Sequence, residues 1–147
     1  MSNLNEVPVN EFGPVIFSYT RAQAIADGVL VDLTKLFPKL VQEAGIKLHL
    51  AMTSTAFVET VGPICSDEIK NGFREERLPD GQSYEGRLWD VLWMFKLAIR
   101  KSPFTDRCNF EVLVWNGKSH DTVKLWCLCG PGDDAEPVLT VMLEGED

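Results

Sequence analysis

The sequence lacks any apolar run that approaches the roughly 20 residues needed for a membrane-spanning helix. Its first residues, Met1–Glu6, carry neither the positive segment nor the apolar segment of a secretory signal peptide. It also has no internal repeat, which excludes a solenoid of stacked units. We therefore expect a cytoplasmic protein without membrane contact. Residues 1–147 are predicted to form a single domain in which 1–14 are loosely ordered and 66–82 form a mixed-charge surface excursion.

Recognisable catalytic and metal-binding motifs are scarce. The chain has only two histidines, His49 and His120, and it has no Walker A sequence and no paired C-x-x-C motif. His49 lies in an apolar stretch, which favours a half-buried, hydrogen-bonded side chain over a ligand. No catalytic residue, no metal site and no cofactor is predicted from these patterns.

One alternative concerns the cysteines. Cys127 and Cys129 alternate along an expected strand, and Cys108 lies on its expected neighbour, so three thiols can approach one another. Buried reduced thiols that pack as small hydrophobic groups are the favoured interpretation. A small enzyme or metal-binding protein, with a site built from scattered acids, His120 and these cysteines, is the alternative function.

Local signals predict a largely helical first part. Helices are expected to begin after residues that can cap them, namely Thr20, Thr34, Thr53 and Ser83. Thr20 with Gln23 matches a capping box, and Gly28 suits the end of that helix. The helix from Tyr84 to about Lys101 is the longest, and because it is apolar on almost all sides we expect it to be central.

The pattern then changes to the alternation of β-strands. Cys108–Trp115 and Thr122–Cys129 flank Asn116-Gly117, a strong hairpin signal, and Pro137–Leu143 supplies a third strand. The predicted fold class is therefore α+β: a helical N-terminal two thirds, with a long central helix packed on a three-stranded antiparallel C-terminal sheet. Two brief extended stretches, within residues 29–33 and 46–52, are not assigned to that sheet.

Both faces of the predicted sheet are apolar. One face is expected to carry Leu113, Trp115, Trp126, Leu128, Leu139, Val141 and Leu143, and the other Phe110, Val112, Val114 and Val123. Either helices cover both faces, or one face is a protein contact. A homo-oligomeric structural accessory protein, with a homodimer formed through the sheet face, is a second alternative function.

Charge is concentrated near the C-terminus. Residues 106–147 hold nine acidic and three basic residues, a net charge of −6 out of −8 for the whole chain. Such a surface attracts basic protein surfaces and repels nucleic acid. We therefore expect a protein partner with a basic surface and no nucleic-acid partner. Asp133, Asp134 and Glu136 are the predicted partner-binding residues.

Three segments, residues 17–32, 87–94 and 129–143, carry a family resemblance. In them the chain resembles a small uncharacterised family, classed as a domain of unknown function, that is carried on bacterial plasmids, phages and other mobile elements. The resemblance brings no catalytic residue with it. It implies a non-enzymatic acidic accessory protein of a mobile genetic element that binds a host or element protein, and inhibition of a host-defence system such as restriction or CRISPR is the specific expectation.

Overall fold

The structure is a computed structural model that describes residues 19–65, 72–101 and 106–146. The expectations for residues 1–14 and for 66–71 of the surface excursion lie outside these ranges. The elements in chain order are α1 (Arg21–Ala26), β1 (Leu30–Asp32), α2 (Leu33–Leu36), α3 (Pro38–Glu43), β2 (His49–Thr53), α4 (Ser54–Thr60), a 3₁₀ turn (Glu75–Arg77), α5 (Tyr84–Lys101), β3 (Arg107–Trp115), β4 (His120–Pro131) and β5 (Pro137–Leu143).

The five strands form one mixed sheet in the order β1-β2-β5-β4-β3. All neighbours are antiparallel except β2 and β5, which run parallel. The α+β class is confirmed, but the three-stranded antiparallel sheet and the helical two thirds are wrong, since β1 and β2 interrupt the helices and join the sheet. Both strands are short, and the pairing of β2 with β5 joins distant parts of the chain without a hairpin signal.

The predicted helix starts are mostly confirmed. Thr20 caps α1 in a complete capping box with Gln23, and Thr53 caps α4 by accepting a hydrogen bond from the Ala56 N–H. Thr34 is not a cap. Asp32 accepts from the Lys35 N–H at 3.0 Å, and Thr34 Oγ1 instead accepts from the Leu50 N–H at 2.8 Å, which ties α2 to β2.

The main core lies between the sheet and helices α3, α4 and α5. Helix α5 packs against β3, where the Phe95 and Phe110 ring centroids are 5.5 Å apart. The register places Val141 opposite Cys127, and Cys127 opposite Cys108, on this helix-covered face. The predicted division of apolar residues between the faces is therefore wrong for Leu139, Val141 and Leu143, because the turn at residues 132–136 sets a register in which Val141 lies opposite Cys127, and a shift of one residue exchanges the two faces.

The opposite face of the sheet is covered in part by α1, whose Ala24 is buried. The described part of the surface excursion, residues 72–82, packs against the rest of the protein through Phe73. The centroid of the Phe73 ring lies 4.5 Å from that of Tyr84 and 5.4 Å from that of Phe37, and both pairs are stacked. Within residues 19–65, 72–101 and 106–146, no helix combines the length and apolar character that crossing a membrane requires.

Candidate functional site

The acidic turn, residues 132–136 between β4 and β5, contains all three predicted partner-binding residues. Asp133, Asp134 and Glu136 are exposed there. The Gly132 N–H donates to the Glu136 carbonyl at 2.6 Å, and the Asp134 N–H donates to Glu136 Oε1 at 3.0 Å. These bonds close the turn on itself, so the acidic residues are held on an ordered backbone.

Asp133 joins the acidic turn to helix α1. Its Oδ1 accepts from the Arg21 N–H at 2.8 Å, and its Oδ2 accepts from the Ala22 N–H at 3.0 Å. Both N–H groups lie in the first helical turn, where they have no partner within the helix. The carboxylate therefore satisfies both groups and complements the positive end of the helix dipole.

The Arg21 side chain crosses from α1 to the sheet. Its Nη1 donates to Thr140 Oγ1 at 2.6 Å, and its Nη2 donates to the Leu139 carbonyl at 2.8 Å, so the guanidinium is held against β5. Its Nε donates to His49 Nδ1 on β2 at 3.3 Å. This one side chain ties α1 to the two parallel strands at the centre of the sheet.

His49 continues the network to β1. Its Nε2 lies 2.9 Å from Asp32 Oδ1. Because a carboxylate only accepts hydrogen bonds, Nε2 must carry the proton, which leaves Nδ1 to accept from Arg21. The Nδ1 lone pair, which a general base would need, thus points at a guanidinium. The predicted half-buried, hydrogen-bonded His49 is confirmed.

The environment of Arg21 sets the charge of this region. Burial lowers the pKa of the Arg21 guanidinium, while the nearby carboxylates of Asp32, Asp133 and Glu136 act in the opposite direction. A guanidinium keeps its proton throughout the physiological range. One inward-facing positive charge is therefore surrounded by several negative groups, and the acidic turn presents net negative charge outward.

A cleft of about 440 Å³ lies beside this network, between α1 and the acidic turn. Its lining includes Tyr19, Thr20, Leu30, Pro131 and Asp133. The Tyr19 hydroxyl donates to Asp27 Oδ2 at 3.1 Å, but Asp27 is not part of the cleft lining. The cleft lining thus offers the Tyr19 phenol, the Asp133 carboxylate and the Arg21 guanidinium, and it does not by itself favour a cationic ligand.

Cys127 neighbours Cys108 and Cys129, but His120 lies apart from these cysteines. Cys108 and Cys127 are directly opposed across β3 and β4, but His120 lies seven residues from Cys127 along β4, or about 23 Å at the usual strand rise. Burial raises the pKa of both the Cys108 and the Cys127 thiols, so little nucleophilic thiolate forms near neutral pH. The His120 ring instead packs against Trp115. In the described ranges, no group of three or more His, Cys, Asp or Glu side chains is arranged to hold a metal ion.

Sequence reasoning missed Arg21, Asp32 and Thr140 as members of this region. Each is a common residue in an ordinary local pattern, and Arg21 is 119 residues away from Thr140. The one local signal was the capping box at Thr20, which placed Arg21 in the first turn of a helix.

Comparison with protein-family models gives a match over residues 9–147 to a family of unknown function, DUF6573. The chain belongs to this family. No curated protein and no solved structure matches the chain. The matched region includes both α1 and the acidic turn, so the contact between Asp133 and Arg21 lies wholly within it.

Proposed function

We propose that this protein is a non-enzymatic binding protein whose acidic turn contacts a basic surface on a partner protein. One observation carries the proposal: the bonds from Asp133 to the Arg21 and Ala22 N–H groups fix the turn on α1, while Asp134 and Glu136 remain exposed. Charges on an ordered backbone lose little conformational entropy when they bind, which favours recognition.

The charges near the turn support the same proposal. The Arg21 side-chain hydrogen bonds point inward to Thr140, Leu139 and His49, so its charge lies on the sheet side of the turn. Electrostatic attraction between the acidic turn and a basic surface on a partner speeds association and favours basic partners over acidic ones. The lack of catalytic chemistry at His49, whose Nδ1 is engaged by Arg21, favours binding over catalysis.

We further propose that the protein acts as an accessory protein of a mobile genetic element, and that its partner is a host or element protein. The family resemblance of residues 17–32, 87–94 and 129–143 supports this context. Inhibition of a restriction or CRISPR system is the specific form that we propose, because such systems bind nucleic acid through basic surfaces that an acidic protein can occupy.

The test is capture of partners from a bacterial host with three forms of the protein. Asp134→Lys/Glu136→Gln changes the charge of the turn and keeps an oxygen at position 136 to accept the Asp134 N–H bond. Glu43→Lys, an equally exposed change on α3, is the control. We expect one specific partner to be lost with the turn variant and kept with the control, and its affinity for the purified wild-type protein to fall steeply as salt is raised. An identical set of partners for all three forms would show that the turn is not the binding surface.

A further inference from the structure

Strand β3 forms one edge of the sheet, and in the described ranges no strand lies beyond it. The Cys129 N–H donates to the Asp106 carbonyl at 2.8 Å, and the Asn116 N–H donates to the Ser119 carbonyl at 3.0 Å. In an antiparallel ladder these bonds recur at every second residue, so the even-numbered residues of β3 bond to β4. The N–H and C=O groups of the odd-numbered residues therefore point away from the sheet.

The odd-numbered edge residues with exposed side chains are Arg107, Asn109, Glu111 and Leu113. At the end of the strand, the outward carbonyl of Trp115 accepts from Arg87 Nη1 at 2.9 Å, so this carbonyl is already hydrogen-bonded within the chain. An edge of this length, with an exposed leucine on it, is a template for pairing with another strand.

Helix α5 runs beside this edge and exposes apolar side chains toward it. Trp93 is 41% exposed and Met94 is 36% exposed, while Leu113 on the strand is 59% exposed. Two surface cavities along α5 and β3 share Met94 and Glu111 in their linings and so form one groove. We call this surface the β3 groove.

The two ends of the β3 groove carry opposite charge. Asp90 lines the end near Leu113, whereas Arg100 and Lys101 line the end near Asn109. The helix and the strand therefore run antiparallel, and the groove changes from acidic to basic along its length. An occupant of uniform charge would be repelled at one end, but a second copy of the same groove, turned by a twofold axis, places each acidic end against a basic end.

We propose that the β3 groove is a homodimer interface in which β3 pairs antiparallel with β3 of a second copy, with the twofold axis at Phe110. This register pairs Arg107 with Leu113 of the second copy and Asn109 with Glu111 of the second copy. Every outward residue from 107 to 113 then exchanges its hydrogen bonds with the second copy. A twofold axis at Glu111 would instead set two like charges directly opposite each other, which is unfavourable.

The same axis brings the two α5 helices alongside each other. Phe95 contacts Phe110 and so lies level with the axis. Residues equally spaced on either side of position 95 then face each other, so Asp90 faces Arg100 of the second copy and Trp93 faces Leu97 of the second copy. The interface buries the exposed Trp93 and Met94 side chains and forms its ion pairs at the rim.

Sedimentation of the purified chain over a range of concentrations tests the interface. We expect a monomer–dimer equilibrium for the wild type. Glu111→Pro removes an outward N–H without removing a bond to β4, so the fold is retained and the dimer is lost. Leu113→Lys, which sets a like charge opposite Arg107 of the second copy, is a second variant with the same expected loss. Val58→Glu, which changes an exposed valine that is 45% exposed on α4, should dimerise as the wild type does. A wild type that stays monomeric at its highest soluble concentration would overturn the proposal, and so would dimers in both edge variants.

A charge exchange tests the register. Asp90→Lys alone and Arg100→Glu alone each place like charges opposite each other at both ends of the dimer, so each should weaken dimerisation by roughly tenfold. A mixture of these two variants restores opposite charges at both ends and should form heterodimers at wild-type strength. Failure of the mixture to exceed either variant alone would exclude this register.

Discussion

The carboxylate of Asp133 binds the backbone N–H of Arg21 at 2.8 Å, although 112 residues separate them in the chain. This contact makes the acidic turn a tertiary cap for helix α1. Since α1 has only six residues, it depends on such contacts for its stability more than on its own hydrogen bonds.

Removal of this cap should destabilise the protein. We expect Asp133→Ala to lower the free energy of unfolding by about 1–2 kcal/mol, since it leaves the Arg21 and Ala22 N–H groups without the carboxylate. Asp134→Ala, one residue later and exposed, should change it by less than about 0.5 kcal/mol. Urea denaturation of both variants measures the difference, and equal midpoints would contradict this role of Asp133.

Replacement of Arg21 by lysine should be destabilising despite the conserved charge. The guanidinium reaches His49, Thr140 and the Leu139 carbonyl from one planar group, and an ammonium cannot match that geometry. We expect Arg21→Lys to cost about 1–3 kcal/mol of stability. Arg100→Lys, at the exposed end of α5, is the matched control and should stay within about 0.5 kcal/mol of the wild type. Similar losses of stability in the two variants would contradict a specific role for the Arg21 guanidinium.

Local sequence signals predicted the elements that are stabilised by contacts within a few residues of the chain. The capping box at Thr20, the cap at Thr53 and the hairpin at Asn116-Gly117 all depend on contacts between near neighbours, and the structure contains each of them. The long helix Tyr84–Lys101 was predicted with its observed bounds, because its apolar pattern continues for several turns without a break.

Features that depend on contacts between distant residues could not be predicted from local sequence patterns. The extended character of residues 46–52 was recognised, but β2 pairs with β5 across most of the chain, so nothing near His49 indicates that this stretch lies beside Val138. The network from Arg21 through His49 to Asp32 depends on that pairing and was missed with it. Asp133 was singled out for its charge, but its bonds to α1 could not be foreseen from the turn alone.

Cysteine reactivity should follow burial. Cys65 is exposed and Cys127 is fully buried. Burial, and then the neighbouring thiols of Cys108 and Cys129, raise the pKa of Cys127, so little thiolate forms at neutral pH. We expect iodoacetamide to label Cys65 in the native protein and to label Cys127 only after unfolding in urea, as measured by mass spectrometry of peptides. Labelling of Cys127 at the rate of Cys65 in the native protein would indicate an open sheet.

Glu146 should make stability depend on pH in the acidic range. Near the C-terminus, Glu146 Oε2 accepts from Thr55 Oγ1 at 2.5 Å, and its Oε1 accepts from Thr53 Oγ1 and the Leu143 N–H, each at 2.8 Å. Burial acts to raise the pKa of Glu146, but these hydrogen bonds outweigh it, and the pKa is lowered overall.

A carboxyl group whose pKa is lower in the folded state stabilises that state above its unfolded pKa of about 4.3 and loses this contribution as the pH falls through the folded pKa. We therefore expect Glu146→Gln to be less stable than the wild type at neutral pH, and we expect the two proteins to converge at a pH low enough to protonate Glu146 in the folded state, where its side chain resembles glutamine. Urea midpoints at both pH values measure this convergence.

Thr55→Val removes one of the hydrogen bonds and should weaken the pH dependence, whereas Thr55→Ser keeps the hydroxyl and should preserve it. A deficit in Glu146→Gln that is equal at both pH values would show that the charge of Glu146 does not stabilise the fold.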